Sequence, residues 1–209
     1  MEKIAIYGFG GFSKDVSVII DEINKEKKKY DFRGYFDDSD KCKVNSNFLG
    51  GIDELNNYPE TINLVLAFGK PSIICHVKSK IINKKIKYPN LIHPKSNVDF
   101  LTLKIGQGNI INVGTVIGRD VIMGDYNMIN SNCIIGHDVQ IGDFNVFSPQ
   151  VAVSGNVKIH NNVFLGLNCS VVQGIEVEDE VHIGAKSLVL KKGKKGKSYF
   201  GVPALLIKK

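Results

Sequence analysis

The sequence predicts two dissimilar halves: a small α/β domain over residues 1–89 and a parallel β-helix over residues 90–209. Three observations carry this. Apolar strand runs closed by glycine alternate with helical patterns in the first half. Large apolar residues then recur at every sixth position from Ile105 to Val189, and a glycine or another small or polar residue follows most of them.

In the first half, "KIAIYG" is an apolar run ending in glycine, the signature of a buried strand and its turn. "FGGFSKDVSVIIDEIN" comes next, with Val16, Ile19, Ile20 and Ile23 at helical spacing. "FRGYFDDSD" is a second short strand ending in acids, and "INLVLAFGK" a third, again closed by glycine. "SIICHVKSKIINKKI" has the pattern of a second helix. Strand–helix–strand alternation favours a small parallel, Rossmann-like sheet with helices packed against it. "YPNLIHP" links this domain to the second half of the chain.

Stepping by six from Ile105 gives fifteen positions, all apolar, without a slip in register. A helix of 3.6 residues per turn would scatter these side chains around its axis. Short strands, each giving one inward side chain before a corner, keep them on one side; stacked rung on rung they form a solenoid. With 43% of the chain hydrophobic, chance does not produce fifteen hits in one register. A second small or β-branched set lies four places after the large residues, including Thr115, Val121, Cys133, Val139, Val151, Val157, Val163 and Cys169.

Composition narrows the class. No apolar run approaches the roughly 18 residues of a membrane span, and the start lacks the layout of a signal peptide, so membrane insertion is not expected and the cytoplasm is. The four cysteines are widely spaced without a CxxC pair, which points to buried free thiols and to no metal site. The net charge of +6 comes from lysine clumps at 25–30, 84–87 and 191–197. No stacking aromatics interleave them, so nucleic acid is not the expected partner.

Two motifs carry chemistry. If Ile135 and Ile141 point inward, His137 stands two past an inward position, at a corner facing outward. An imidazole there suits a general base near neutral pH, and Asp138 beside it can fix the tautomer. An ordinary surface pair is the competing explanation. In the front half, Gly8, Gly10 and Gly11 stand between a strand and a helix, where backbone N–H groups can close around phosphate. As a dinucleotide fingerprint the loop fails, with Ser13 where a third glycine belongs, and the domain is short for that fold. A nicotinamide cofactor is not expected.

The motifs "YGFGGFSKDV", "GYFDD", "LGGIDEL", "LAFGK", "NLIHP", "IIGHDVQIGD", "SGNVKI", "NVFLGLNCSVVQGI", "HIGAKSLV" and "GVPA" span nearly the whole chain. Together they resemble two-domain left-handed β-helix sugar acetyltransferases of the sialic-acid O-acetyltransferase and bacillosamine-pathway N-acetyltransferase type. The left hand of the coil is implied by this resemblance, against the usual right-handed crossover. The resemblance implies an acetyl-CoA-dependent N-acetyltransferase acting on a nucleotide-linked 4-amino sugar for surface glycan synthesis, working as a homotrimer without metal.

His137 matches the family's base and Asp138 the acid beside it. Gly155 matches the backbone amide facing the acetyl carbonyl, Asn130 a position near the acceptor, and Leu167 and Ala185 the lining of the coenzyme arm. Lys191 and Lys192 open the lysine run, which is placed to meet the coenzyme's phosphates as point charges. In the front domain the resemblance assigns the sugar nucleotide to Gly8, Gly10, Gly11, Phe12, Ser13, Asp37, Asp38, Gly69 and Lys70. Two departures stand out: Val146 replaces a second histidine common in the family, and Phe12 replaces another. An O-acetyltransferase acting on sialic acid or another sugar hydroxyl is the nearest rival, since one base serves either nucleophile. A solenoid that binds sugar nucleotides without chemistry is the second.

Overall fold

The computed structural model describes residues 1–39, 42 and 47–207. The chain divides into two compact units, Met1–Pro94 and Lys95–Lys209.

The front unit runs β1 (Glu2–Tyr7), α1 (Gly11–Lys27), β2 (Tyr30–Phe36), β3 (Phe48–Gly50), α2 (Ile52–Asn56), β4 (Ile62–Leu66), α3 (Pro71–Lys80) and β5 (Ile86–Lys87). Its five strands are parallel in the order β3-β2-β1-β4-β5. The central strand β1 buries Ile4, Ala5, Ile6 and Tyr7 in succession, as a strand covered on both faces must. Helix α1 buries Val16, Ile19 and Ile20, the stripe its spacing predicts. It ends at Lys28, whose left-handed φ of 44° lets its N–H reach Asn24 O.

The strand order reverses beside β1, so the carboxyl ends of β1, β2 and β4 form the edge where open α/β sheets bind ligands. Two differences from the sequence expectation appear. Helix α3 stops at Lys80 instead of running on to Ile86, because Asn83 turns the chain. Its side chain accepts from Lys85 N–H and donates to Leu55 O and Tyr58 O. The short β3, α2 and β5 have too few residues for a visible period.

The second unit is a parallel β-solenoid of two-residue strands on three faces. The first face stacks residues 97–98, 116–117, 134–135, 152–153, 170–171 and 188–189. The second stacks 104–105, 122–123, 140–141, 158–159 and 176–177. The third includes 110–111, 128–129, 146–147, 164–165 and 182–183, then Ser198–Phe200 with the antiparallel Leu205–Leu206. Of the fifteen hexad positions, all but the first, Ile105, are buried, so the period marks the inside of the coil.

The position three past each inward residue from Ile105 to Ile183 takes a left-handed backbone, with φ near 57° at Asp120, Asn132, Asp138, Asn156 and Asn162 among others. Asn and Asp tolerate that conformation better than most residues, which explains their frequency there. Inside the coil, Asn109, Asn127 and Asn145 form a buried ladder. Each amide oxygen accepts from the backbone of the next rung, and Asn127 Nδ2 donates to Asn109 Oδ1 at 3.0 Å and to Gly142 O at 2.8 Å. Full pairing is what makes buried amides tolerable. Cys42, Cys133 and Cys169 are buried and Cys75 is half-buried, all as free thiols. Burial pushes the Cys133 and Cys169 thiols up to about 11 and about 12. Among the described residues no helix is long and apolar enough to cross a membrane.

Candidate active site

His137 stands at the corner between the first and second faces, two residues past the inward Ile135, and its side chain is 63% exposed. Its Nδ1 lies 2.7 Å from Asp138 Oδ2. A carboxylate only accepts, so Nδ1 is the donor in this contact and Nε2 takes no part in it. The left-handed backbone at Asp138 folds its carboxylate back onto the preceding ring.

One rung above, Gly155 is buried beneath that ring. A Cβ on Gly155 would stand 2.6 Å from both Cε1 and Nε2 of His137, so only glycine lets the imidazole lie there. Asn156 N–H donates to His137 O at 2.9 Å and Asp138 N–H to Arg119 O at 3.0 Å, which locks the register of these rungs. The same station on successive rungs is therefore filled by Arg119, His137, Gly155, Gln173 and Lys191. Rungs about 4.8 Å apart put Lys191 roughly 14 Å from His137 along the coil.

Lys191 is exposed, whereas Lys192 is engaged. Its Nζ is 2.8 Å from both Glu176 Oε2 and Glu178 Oε1, and hydrogen bonds to these carboxylates hold its ammonium well above the usual lysine range. Asn130, Leu167 and Ala185 lie at a different corner, between the third and first faces. Asn130 is half-buried there, its Oδ1 accepting from Ser131 N–H at 2.8 Å and its carbonyl from Thr115 Oγ1 at 2.8 Å. Leu167 is 45% exposed. One chain thus brings His137, Asp138 and Gly155 together, sets Lys191 three rungs along the same corner and leaves Asn130, Leu167 and Ala185 one face away. Val146, in the place of the family's second histidine, is buried on the third face.

The predicted sugar-nucleotide residues of the front unit gather at the carboxyl edge of its sheet. Gly8 has φ 114°, and a Cβ there would meet Ala67 O at 2.9 Å, so β1 and the loop after β4 approach as only glycine permits. Gly10, Gly11 and Gly69 have nothing within 4 Å of where a Cβ would stand. Phe12 is half-buried. Ser13 is turned inward instead, its Oγ donating to Gly10 O at 2.6 Å.

Asp37 accepts from Phe9 N–H at 2.7 Å and from Ser39 N–H at 2.7 Å. Asp38 accepts from Tyr7 Oη–H at 2.8 Å and from Ile52 N–H at 2.9 Å. Burial first, then this bond to Asp38, pushes the Tyr7 phenol far above its ordinary range. Both acids therefore shape the loops, with lone pairs to spare. Lys70 is exposed at the N-terminus of α3.

Residues 3–84 match the family of PglD N-terminal domains. By sequence alone, no curated protein matches the chain. Solved structures match it end to end. The acetyltransferase domain of PglB from Neisseria gonorrhoeae, in complex with acetyl coenzyme A, is 26% identical with a TM-score of 0.88 and covers 99% of each chain. PerB from Caulobacter crescentus, in complex with CoA and GDP-perosamine, is 22% identical with a TM-score of 0.87, covering 100% of this chain and 98% of its own. WeeI from Acinetobacter baumannii is 16% identical with a TM-score of 0.86, covering 99% and 100%. After its front unit the chain carries the left-handed β-helix of these proteins, and the expectation of an acyltransferase is borne out.

Sequence reasoning missed Arg119 and Gln173 in the column of His137. Stepping eighteen residues from the histidine finds Arg119, and thirty-six in the other direction finds Gln173. It also missed the bond between Tyr7 and Asp38, for which no pattern exists.

Proposed function

We propose that the protein transfers the acetyl group of acetyl-CoA to the amino group of a nucleotide-linked 4-amino sugar. The observation that carries this is the His137 ring, held at Nδ1 by Asp138 and laid against Gly155. The structures that match over the full length add support. One holds acetyl coenzyme A, and another holds CoA together with GDP-perosamine.

The amine nitrogen attacks the thioester carbonyl while Nε2 of His137 takes the proton it loses. The carbonyl oxygen gains the electron pair, and the Gly155 N–H is the donor suited to it. The tetrahedral intermediate then collapses, the carbon–sulfur bond breaks, and the imidazolium returns its proton to the departing thiolate. Asp138 stabilises the imidazolium throughout. Lys191, further along the same column, is suited to the coenzyme's phosphates. The open glycines and Lys70 at the front edge are suited to the phosphates of the sugar nucleotide.

A homotrimer fits the division of residues between two corners. The first face, which lies between those corners, presents Val116, Ile134, Ala152, Ser170 and Leu188 outward, with no charge. Val116 and Ile134 are 39% and 54% exposed. The second face presents Lys104, Ile122, Gln140, Lys158 and Glu176, polar at every station but one. Packing between copies would bring the Asn130 corner of one against the His137 corner of the next.

The test is thiol release from acetyl-CoA with UDP-, dTDP- and GDP-linked 4-amino sugars, sialic acid serving as the hydroxyl acceptor. Release with an amino sugar, lowered about 10²-fold or more in His137→Ala with coenzyme affinity unchanged, is expected. Release with sialic acid alone would replace N- by O-acetylation, and unchanged turnover in the variant would remove His137 from the chemistry.

A further inference from the structure

The column that holds the base continues below it to Arg119, which acetyl transfer through His137 does not use. Its backbone is one rung beneath, since Asp138 N–H donates to Arg119 O at 3.0 Å, so the guanidinium starts about 4.8 Å from the base's own station. The side chain is 72% exposed, and its Nε faces Asp99 Oδ2 at 3.0 Å.

The pair forms where the first turn of the coil departs from the period. Val116 pairs with Asn97, one residue further back than the interval used by later rungs. The extra residue lies between Asp99 and Lys104, where the later interval begins, and Phe100 and Leu101 in that stretch are 66% and 89% exposed. Asp99, only 20% exposed, is itself pinned, Oδ1 accepting from Leu101 N–H at 3.1 Å. A guanidinium held at Nε still has two terminal amino groups in a planar fork, the geometry that grips a carboxylate or a phosphate through two oxygens.

Above the base, the Gly155 amide and Lys191 suit the acyl donor, which leaves the acceptor the side below. We propose that Arg119 is a positioning and specificity residue for the acceptor, gripping one of its anionic groups while Asp99 aims the fork. This rests on the amino-sugar nucleotide reading and deepens it: the acceptor must carry an anion within one rung of its amine. Two sources share that chemistry, the diphosphate of the nucleotide and an acid group on the sugar.

The experiment is calorimetric titration of the full-length, CoA-loaded protein with the UDP-, dTDP- and GDP-linked 4-amino sugars, on wild type, Arg119→Gln and Arg119→Lys. Arg119→Gln is expected to weaken acceptor binding about tenfold or more, with CoA affinity and melting temperature unchanged. Arg119→Lys recovers only part, because a point charge lacks the fork. Titration with the nucleoside diphosphate alone separates the sources. An equal penalty there assigns the grip to the diphosphate, and a penalty seen only with the sugar attached assigns it to the sugar.

Unchanged acceptor affinity in Arg119→Gln overturns the proposal. So does a loss matched by equal falls in CoA affinity and melting temperature, which marks a brace and nothing more. Wild-type binding without thiol release would sink the acetyl-transfer reading while the affinities still decide the role of Arg119.

Discussion

The two corners bordering the uncharged face of the coil share one backbone and differ in what fills it. Two past each inward residue, one corner presents Arg119, His137, Gly155, Gln173 and Lys191. The other presents Val113, Ser131, Pro149, Leu167 and Ala185. At these stations the first corner carries three ionisable groups and the second carries none. A regular solenoid offers the same outward station on every rung, so fold alone does not choose a catalytic corner. The choice is made by side chains, and the uncharged corner is suited to line a site whose chemistry comes from elsewhere.

The largest effect should come from spoiling one corner per copy. His137→Ala and Leu167→Arg are each expected to lower turnover about 10²-fold, the first by removing the proposed base and the second by placing a bulky charge in the proposed coenzyme path. Co-expressed and purified as mixed assemblies, the pair should regain activity to within about tenfold of wild type. Some sites then take an intact corner from each chain. Mixed assemblies as dead as their parents would place both corners' work within one chain or show that no shared site forms.

A smaller effect tests how the active corner is built. Gly155→Ala puts a methyl 2.6 Å from the ring of His137, a separation that forces the imidazole aside. Turnover should fall about tenfold or more while melting temperature holds, since the new methyl meets only the far end of an exposed side chain. A variant as active as wild type would show that the ring works from another position. Equal loss of stability would show that the contact serves the fold.

The coil was legible in the sequence because its period is strict, and fourteen of its fifteen hexad positions are buried. The same strictness placed His137 at an outward corner. What the period did not show is what breaks it. The added residue between Asp99 and Lys104 is one irregular step in a long array, and Asp99 at its start pairs with Arg119. The Asn109–Asn127–Asn145 ladder was hidden because amides at inward positions look like errors until each finds its partner on the next rung. In the front unit the long strands and α1 were readable from their patterns. The part played by Asp38 was not, since its partner Tyr7 is thirty-one residues away and nothing local announces the bond. Lys191 and Lys192 are adjacent in sequence and alike in charge, yet only the fold shows that Glu176 and Glu178 claim the second.

That last difference gives the smallest effect and a clear sign. Hydrogen bonds from Lys192, then from His160, hold the Glu176 carboxyl down at about 2. A carboxyl whose folded value lies below its unfolded value, about 4.3, contributes stability above that pH and loses it as pH falls through about 2. Lys192, raised by the same partners, contributes while it is protonated and loses its part only in strong alkali. Lys192→Met should therefore melt below wild type between about pH 5 and pH 9 by no more than about 3 °C, the pair being exposed to solvent. The gap should close as pH drops toward about 2, where Glu176 takes up its proton in both proteins. A gap that persists there would mean that the lysine stabilises through its aliphatic stem. A raised acetyl-CoA KM in Lys192→Met, without one in Lys191→Ala, would reverse the roles given to the two lysines at the coenzyme end of the column.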